Sequence, residues 1–314
     1  MGCLSTGLVA QGLDLGSNTF SYCELVADEL GVPRLRRDVS VPVRLSEGLS
    51  PGGRLRPAAI ARGLAVLESY KEHQGLDSSR LRAVGTAVFR LCAFAEDFIA
   101  PASELLGVPV EILSGEQEAR LTYAGATLGL TKTSEEGWVM LDIGGQSTEM
   151  GWRAEDRLEF LSLPLGVVAL SEAHLCSDPP ELSQIEALRA EVKSRLGQQI
   201  PGHLRGTLLC VAGTATTLGH IALELSSWHR ERLHGLSLSR EVLHGWLEKI
   251  LAISAKERTS RYGISPGRAD VFPAGLMLLD EVLGHLNKTD FTISASGLRV
   301  GAALSVFEDG EVLR

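Results

Sequence analysis

Two aspartates, Asp14 and Asp142, each close an apolar run and open a short polar turn, in LDLGSNTF at Leu13–Phe20 and LDIGGQSTEM at Leu141–Met150. The apolar run predicts a buried strand, and the small residues after the Asp predict a tight hairpin. Such a turn aims backbone N–H groups into a concavity that suits a phosphate. Those groups would come from Gly16, Ser17 and Asn18 in the first copy and from Gly144, Gly145, Gln146 and Ser147 in the second. An Asp at the strand end can hold a hard divalent cation or a water against that phosphate. Singly, it is as readily a turn-former bonded to its own backbone. Two copies about one domain apart point to a phosphate clamped between two similar domains.

Other candidates read less sharply from residue type. Glu118 falls in the first turn of a predicted helix, where an acid complements the helix dipole. Glu116 beside it is spaced for a surface pair with Arg120 at i+4. Arg90, in GTAVFR, suits bidentate phosphate contact or is simply a surface residue at a helix start. The eight histidines and five cysteines show no zinc-ligand spacing.

The elements that must position these groups follow from periodicity. Strands are predicted over 8–15, 20–26 and 35–43, then a helix over 57–71 with Pro57 at its start. A strand over 81–85, a helix over 96–106 and a strand over 110–113 come next. Ser114 with Gln117 forms a capping box that opens a helix to about 128. The pattern then restarts with strands over 138–143, 148–153 and 158–163 and helices over 166–175 and 181–196. A strand over 207–212 ends in a turn at Gly213–Thr216. Helices over 217–225, 240–253, 256–261 and 267–286, a strand over 291–294 and a helix over 298–307 complete the chain. This is a duplicated α/β plan with a cleft expected between halves. The expected domains are 1–126 and 127–314, with the last helix, about 297–308, able to pack back on the first. The one linker-like stretch is Thr131–Gly137.

The 314 residues and 44% apolar content suffice for two cores, and the formal charge of −9 argues against non-specific nucleic-acid binding. A phosphate site must therefore be locally positive within an acidic whole. No apolar run approaches the roughly 20 residues a bilayer requires, so no membrane partner is expected. Scattered cysteines fit a reducing compartment, and the cytoplasm is the expected location.

Taken with three more segments, the two turns resemble a known family. ILSGEQEARLTYAG (Ile112–Gly125), VAGTATTLG (Val211–Gly219) and SPGRADVFPAG (Ser265–Gly275) are similar to motifs of the exopolyphosphatase/guanosine-pentaphosphate phosphohydrolase (Ppx/GppA) family. The resemblance spans about Gly12 to Ala302, and the chain lacks the helical extension of long members. It implies two tandem ribonuclease H-like (actin-like ATPase) domains. It implies a Mg²⁺-dependent hydrolase, with Mn²⁺ as an alternative, that removes a terminal phosphate from inorganic polyphosphate or guanosine pentaphosphate. Glu118 aligns with the family's general base. Asp142 would help hold the metal and the attacking water, with Glu149 nearby and Asp14 across the cleft. Arg90 matches an Arg that points into the cleft, and Arg268 lies on the substrate side of the second half. Gly213 and Thr214 match the superfamily's nucleotide-binding turn, which here would only line a polyanion channel. A homodimer is compatible with this reading.

The chain departs from the family at three places. Gln146 stands where most members have a third Gly; Ala93 and Ala95 occupy a stretch that usually carries an Asn; Ser21 replaces an Arg that follows the first turn in many members. Loss of that cation favours inorganic polyphosphate over a nucleotide. Two competing functions are a sugar or acid kinase of the same superfamily and a non-catalytic alarmone or polyphosphate sensor. The position of Glu118 argues against the first, and the intact Glu118/Asp142 pair against the second.

Overall fold

Two β-sheets carry the chain, one in each of two units: Met1–Leu128 with Gly297–Arg314, and Gly129–Ser296. The computed structural model describes residues 4–50, 52–131 and 135–312. Residues 132–134 of the linker-like stretch lie outside the described residues.

Unit 1 begins with the antiparallel strands β1 (Val9–Leu15), β2 (Thr19–Ala27) and β3 (Pro33–Pro42). Helix α1 (Pro57–Gln74), strand β4 (Leu81–Gly85) and helices α2 (Ala87–Leu91) and α3 (Glu96–Leu106) follow. Strand β5 (Val110–Ile112) and helix α4 (Gly115–Thr127) complete this stretch. The sheet order is β3-β2-β1-β4-β5, with β1, β4 and β5 parallel. Side chains alternate across a strand, so Leu13 and Leu15 of β1 pack in the core that includes Leu67 of α1 and Phe98 of α3. Ala10 joins a second core with Val300, Ala303 and Leu304. Burying each large apolar side chain contributes roughly 1.5–3 kcal/mol.

Unit 2 repeats the order with β6 (Trp138–Ile143), β7 (Thr148–Ala154) and β8 (Arg157–Leu163), then α5 (Val167–His174) and α6 (Leu182–Gln199). Next come β9 (Thr207–Val211), α7 (Ala212–Ala222), α8 (Arg230–Leu233), β10 (Ser237–Ser239) and α9 (Arg240–Leu251). Last are α10 (Ala255–Tyr262), α11 (Pro266–Ala269), α12 (Phe272–His285) and β11 (Asp290–Ile293). Its sheet runs β10-β11-β9-β6-β7-β8. Without the edge strand β10, this matches the first sheet strand for strand.

Helix α13 (Leu298–Val312) returns to unit 1 and packs on α4 and β1. The contact is backbone to backbone. A Cβ on Gly12 would stand 1.9 Å from the Arg299 carbonyl oxygen, one on Gly125 2.2 Å from that of Gly297, and one on Gly301 1.9 Å from that of Leu121. Only glycine permits such approaches.

Two sequence expectations are corrected. Gly213–Thr216 is not a turn after a strand but part of the first turns of α7. Ala212 sits at φ +63, and this one left-handed residue swings the chain from β9 directly into the helix. The expected single helix over 267–286 is two helices, α11 and α12, separated at Asp270 and Val271. Pro273 cannot donate to a carbonyl four residues back and would clash with it, so the helix must restart there. Strand β10 and helices α2 and α8 are too short to leave a periodic signal.

Candidate functional site

In unit 1 the candidate groups gather at the C-terminal ends of the three parallel strands. Asp14 is the penultimate residue of β1, and its register partner on β4 is Val84. Arg90 lies on α2, which follows β4 after Thr86 alone, and Glu118 lies on α4, which follows β5 after Leu113 and Ser114. The capping box sets α4: the Ser114 hydroxyl accepts from the Gln117 N–H at 3.2 Å, and Gln117 Oε1 accepts from the Ser114 N–H at 2.8 Å. That fixes the first turn and with it the direction of Glu118.

Glu118 is 7% exposed. Arg90 Nη1 donates to its Oε2 at 2.7 Å and to the Leu113 carbonyl at 2.7 Å. Burial pushes the Glu118 carboxyl above its usual range, and the charge and hydrogen bond of Arg90 offset only part of that rise. The result is a buried carboxylate of increased basicity, held in one orientation. The other nitrogens of Arg90 have no hydrogen-bond partner among the described residues, so the same guanidinium retains donors for an oxyanion. Glu116, by contrast, makes the exposed pair with Arg120 at 3.2 Å.

The two aspartate turns have the same construction. The Gly16 N–H donates to the Thr19 carbonyl at 3.1 Å, and the Gly144 N–H to the Ser147 carbonyl at 2.9 Å. A Cβ on Gly16 would meet Thr19 O at 2.8 Å, and one on Gly144 would meet Ser147 O at 2.9 Å. In each, turn carbonyls are engaged behind. Ser17 O accepts from Ser46, and Asn18 O from Val43 and Arg44; Gly144 O accepts from Val167 and Gly145 O from Val168, at the start of α5. A trans peptide points its N–H opposite its C=O. The N–H groups of Gly145 and Gln146 therefore point away from α5, as phosphate donors must. Gln146 itself is buried.

Asp142 and Glu149 are register partners across β6 and β7. Glu149 is 1% exposed and accepts from the Ser162 hydroxyl at 2.7 Å. Its Oε2 lies 4.0 Å from where a Gly144 Cβ would be, so the carboxylate faces the turn. Asp142 and Glu149 thus bring two carboxylates beside the Gly144 turn, the hard-oxygen chemistry that Mg²⁺ takes together with waters. Among the described residues no cluster of three or more His, Cys, Asp or Glu forms a closed metal cage.

The parallel pairing of β6 with β9 sets Asp142 opposite Val211, which brings the first turn of α7 beside the Gly144 turn. Arg268 Nη1 donates to the Gly213 carbonyl at 3.2 Å and to Thr217 Oγ1 at 2.9 Å. A Cβ on Gly213 would stand 2.4 Å from its guanidinium carbon. Arg268 has no ion-pair partner among the described residues, and burial lowers its pKa. A half-buried cation without a carboxylate suits an anionic ligand. Thr214 turns its hydroxyl against α12, 2.4 Å from where a Gly275 Cβ would be.

Sequence reasoning missed Ser162, Thr217 and Arg258. Arg258 is 1% exposed and donates from Nη1 to the Ala269 carbonyl at 3.0 Å and from Nε to the Ile250 carbonyl at 2.9 Å. It thereby fixes α11, which carries Arg268. Ser162 is the register partner of Glu149 on β8, which only the strand register reveals, and Thr217 meets Arg268 from 51 residues away. Arg258 stands in the polar run Lys256–Arg261, which reads as a solvated face and hides its burial.

A sequence profile described as the Ppx/GppA phosphatase family matches residues 31–309. The chain is similar to "Exopolyphosphatase 2" of Mycobacterium tuberculosis, with 29% identity over 313 residues, covering 94% of this chain and 97% of that one. Among solved structures, the Aquifex aeolicus PPX-GPPA enzyme aligns at TM-score 0.79 and 26% identity, covering 95% of this chain and 99% of the other. An exopolyphosphatase from Cytophaga hutchinsonii shares the fold at TM-score 0.83 and 19% identity, covering 96% and 98% of the two chains.

Proposed function

Because the chain belongs to the Ppx/GppA phosphatase family, we propose that it hydrolyses the terminal phosphoanhydride of inorganic polyphosphate, with Glu118 as general base. The observation that carries this reading is the buried, raised-pKa carboxylate of Glu118 held by Arg90. A water beside Glu118 gives its proton to the carboxylate as its oxygen bonds the terminal phosphorus. The bridging P–O bond breaks, orthophosphate leaves, and the remaining chain departs one unit shorter. The N–H groups of Gly145 and Gln146 and the guanidinium of Arg268 hold phosphoryl oxygens. Unit 1 carries a turn of the same construction at Gly16, Ser17 and Asn18. Phosphoryl transfer is accelerated mainly by positioning and charge neutralisation, with the base adding to these.

Asp142 and Glu149 in unit 2 are residues that would hold Mg²⁺ or Mn²⁺, and Asp14 is the equivalent carboxylate of unit 1. The ion would neutralise phosphate charge. The resident carboxylates would otherwise repel a polyanion.

Guanosine pentaphosphate is the second substrate the family offers. Ser21 speaks for inorganic polyphosphate first. Its hydroxyl accepts from Ser40 at 2.9 Å within the first sheet, and it presents no cation to a nucleotide. The deciding experiment is phosphate release with Mg²⁺ from short polyphosphate, long polyphosphate and guanosine pentaphosphate, by wild type and Glu118→Gln. No release from any of the three would overturn the hydrolase reading. A clear kcat/KM preference for the nucleotide would overturn the argument from Ser21.

A further inference from the structure

A second charged centre lies in unit 2, where α6, α9 and α12 surround two buried carboxylates, Asp280 and Glu281. Arg189 Nη1 donates to Asp280 Oδ2 at 2.8 Å and also to Glu281. Arg240 donates from Nε to Asp280 Oδ1 at 2.8 Å and from Nη2 to the Asp280 carbonyl at 3.2 Å. His244 Nε2 lies 2.7 Å from Asp280 Oδ1, and Lys193 Nζ 3.7 Å from Glu281 Oε2. Two carboxylates are thus ringed by three permanent cations. One positive charge is left over, in a chain whose formal charge is −9.

A clamp between helices would need only the inward-facing nitrogens. Here Nε and Nη2 of Arg189 and Nη1 of Arg240 have no hydrogen-bond partner among the described residues. Both guanidiniums, with Lys193, line a cavity of about 360 Å³. Gly284 forms part of its wall, and a Cβ there would stand 2.9 Å from Arg240 Nη2, so the guanidinium lies directly on the backbone of α12. The buried carboxylates fix the arginines before any ligand arrives, which removes much of the ordering cost of binding. Fixed guanidiniums with free N–H groups are matched to tetrahedral oxyanions. The volume is at the small end of ligand pockets, about 300–1,000 Å³, and suits phosphate groups without a large organic body. The centre is separate from the Gly213 turn: on α12, Gly284 is nine residues beyond Gly275, about 13 Å along the helix.

We propose that this cavity is a second, non-hydrolytic site for phosphate oxyanions, either orthophosphate or a short phosphoanhydride chain. The test is isothermal titration of the whole protein with tripolyphosphate in EDTA, for wild type and for Lys193→Glu. Lys193 is the variant position because its side chain is 68% exposed and it makes none of the hydrogen bonds by which Arg189 and Arg240 hold Asp280. Wild type should bind tripolyphosphate, and Lys193→Glu should weaken one equivalent at least tenfold. Arg240→Lys, which keeps the charge but loses the fork, should weaken the same equivalent. Competition by orthophosphate assigns the Lys193-dependent site to the small product-type anion, and failure of orthophosphate to compete assigns it to the chain. No binding by wild type, or binding unaltered by Lys193→Glu, overturns the proposal. Hydrolysis is not the readout, so the result stands whatever the fate of the Glu118 assignment.

Discussion

The Glu118–Arg90 pair makes a prediction in both rate and stability. Glu118→Gln is nearly isosteric and removes the proton acceptor, so turnover should fall by about 10²–10⁴-fold. Retention of more than about a third of wild-type turnover would sink the assignment. Because the folded-state pKa of Glu118 is raised, its stabilising effect is present below the ordinary glutamate value and is lost as pH rises through the folded value. Glu118→Gln should therefore match wild type in Tm near about pH 4 and exceed it near about pH 8. Arg90 lowers that pKa, so Arg90→Met should shift the acid limb of the rate profile to higher pH. Ala212 is a second residue-scale case. Its left-handed conformation costs an L residue about 1–2 kcal/mol, partly offset in the unfolded chain when Gly replaces it. Ala212→Gly should raise the unfolding free energy by up to about 1 kcal/mol, read as a small rise in the urea midpoint. Gln146→Gly should leave activity unchanged or raise it if the side chain only fills space, and a large drop would show the amide to be a working donor.

At the scale of elements, α11 is the informative piece. Four residues cannot hold a helix by their own hydrogen bonds, and Arg258 supplies the missing restraint from α10. Arg258→Met should leave two carbonyls buried and unsatisfied, at about 1–3 kcal/mol each. Calorimetry should show that loss, and steady-state kinetics should show KM rising more than kcat falls as Arg268 loses its seat. The elements also show what was legible beforehand. The capping box of α4 and the hairpins at Asp14 and Asp142 are local patterns, and both were readable. The start of α7 was not, because one residue of unusual φ carries it. The Arg90–Glu118 bond was not readable either, since it joins residues 28 apart through two parallel strands. The break before α12 was readable in principle from Pro273, but the apolar periodicity around it concealed the interruption.

At the scale of the molecule, the acidic surface and an anionic substrate oppose each other, so divalent cation should set the affinity. We expect activity to require Mg²⁺ or Mn²⁺ and Asp142→Asn to raise the concentration needed; full activity in excess EDTA would show this wrong. The duplicated sheet order was legible as a repeated strand pattern, whereas the return of α13 to unit 1 rests on glycine contacts between residues far apart in sequence. One such contact, Gly12 against Arg299, spans most of the chain. It has a consequence for biosynthesis. A nascent chain emerging from the ribosome holds all the strands of unit 1 long before it holds α13, and the whole of unit 2 is made in between. Until then β1 and α4 expose the glycine-lined face that α13 covers, an interval in which a chaperone would find its binding surface. Folding of unit 1 therefore waits on α13, and a released chain truncated after Ser296 should display unit 1 as protease-sensitive while unit 2 is resistant.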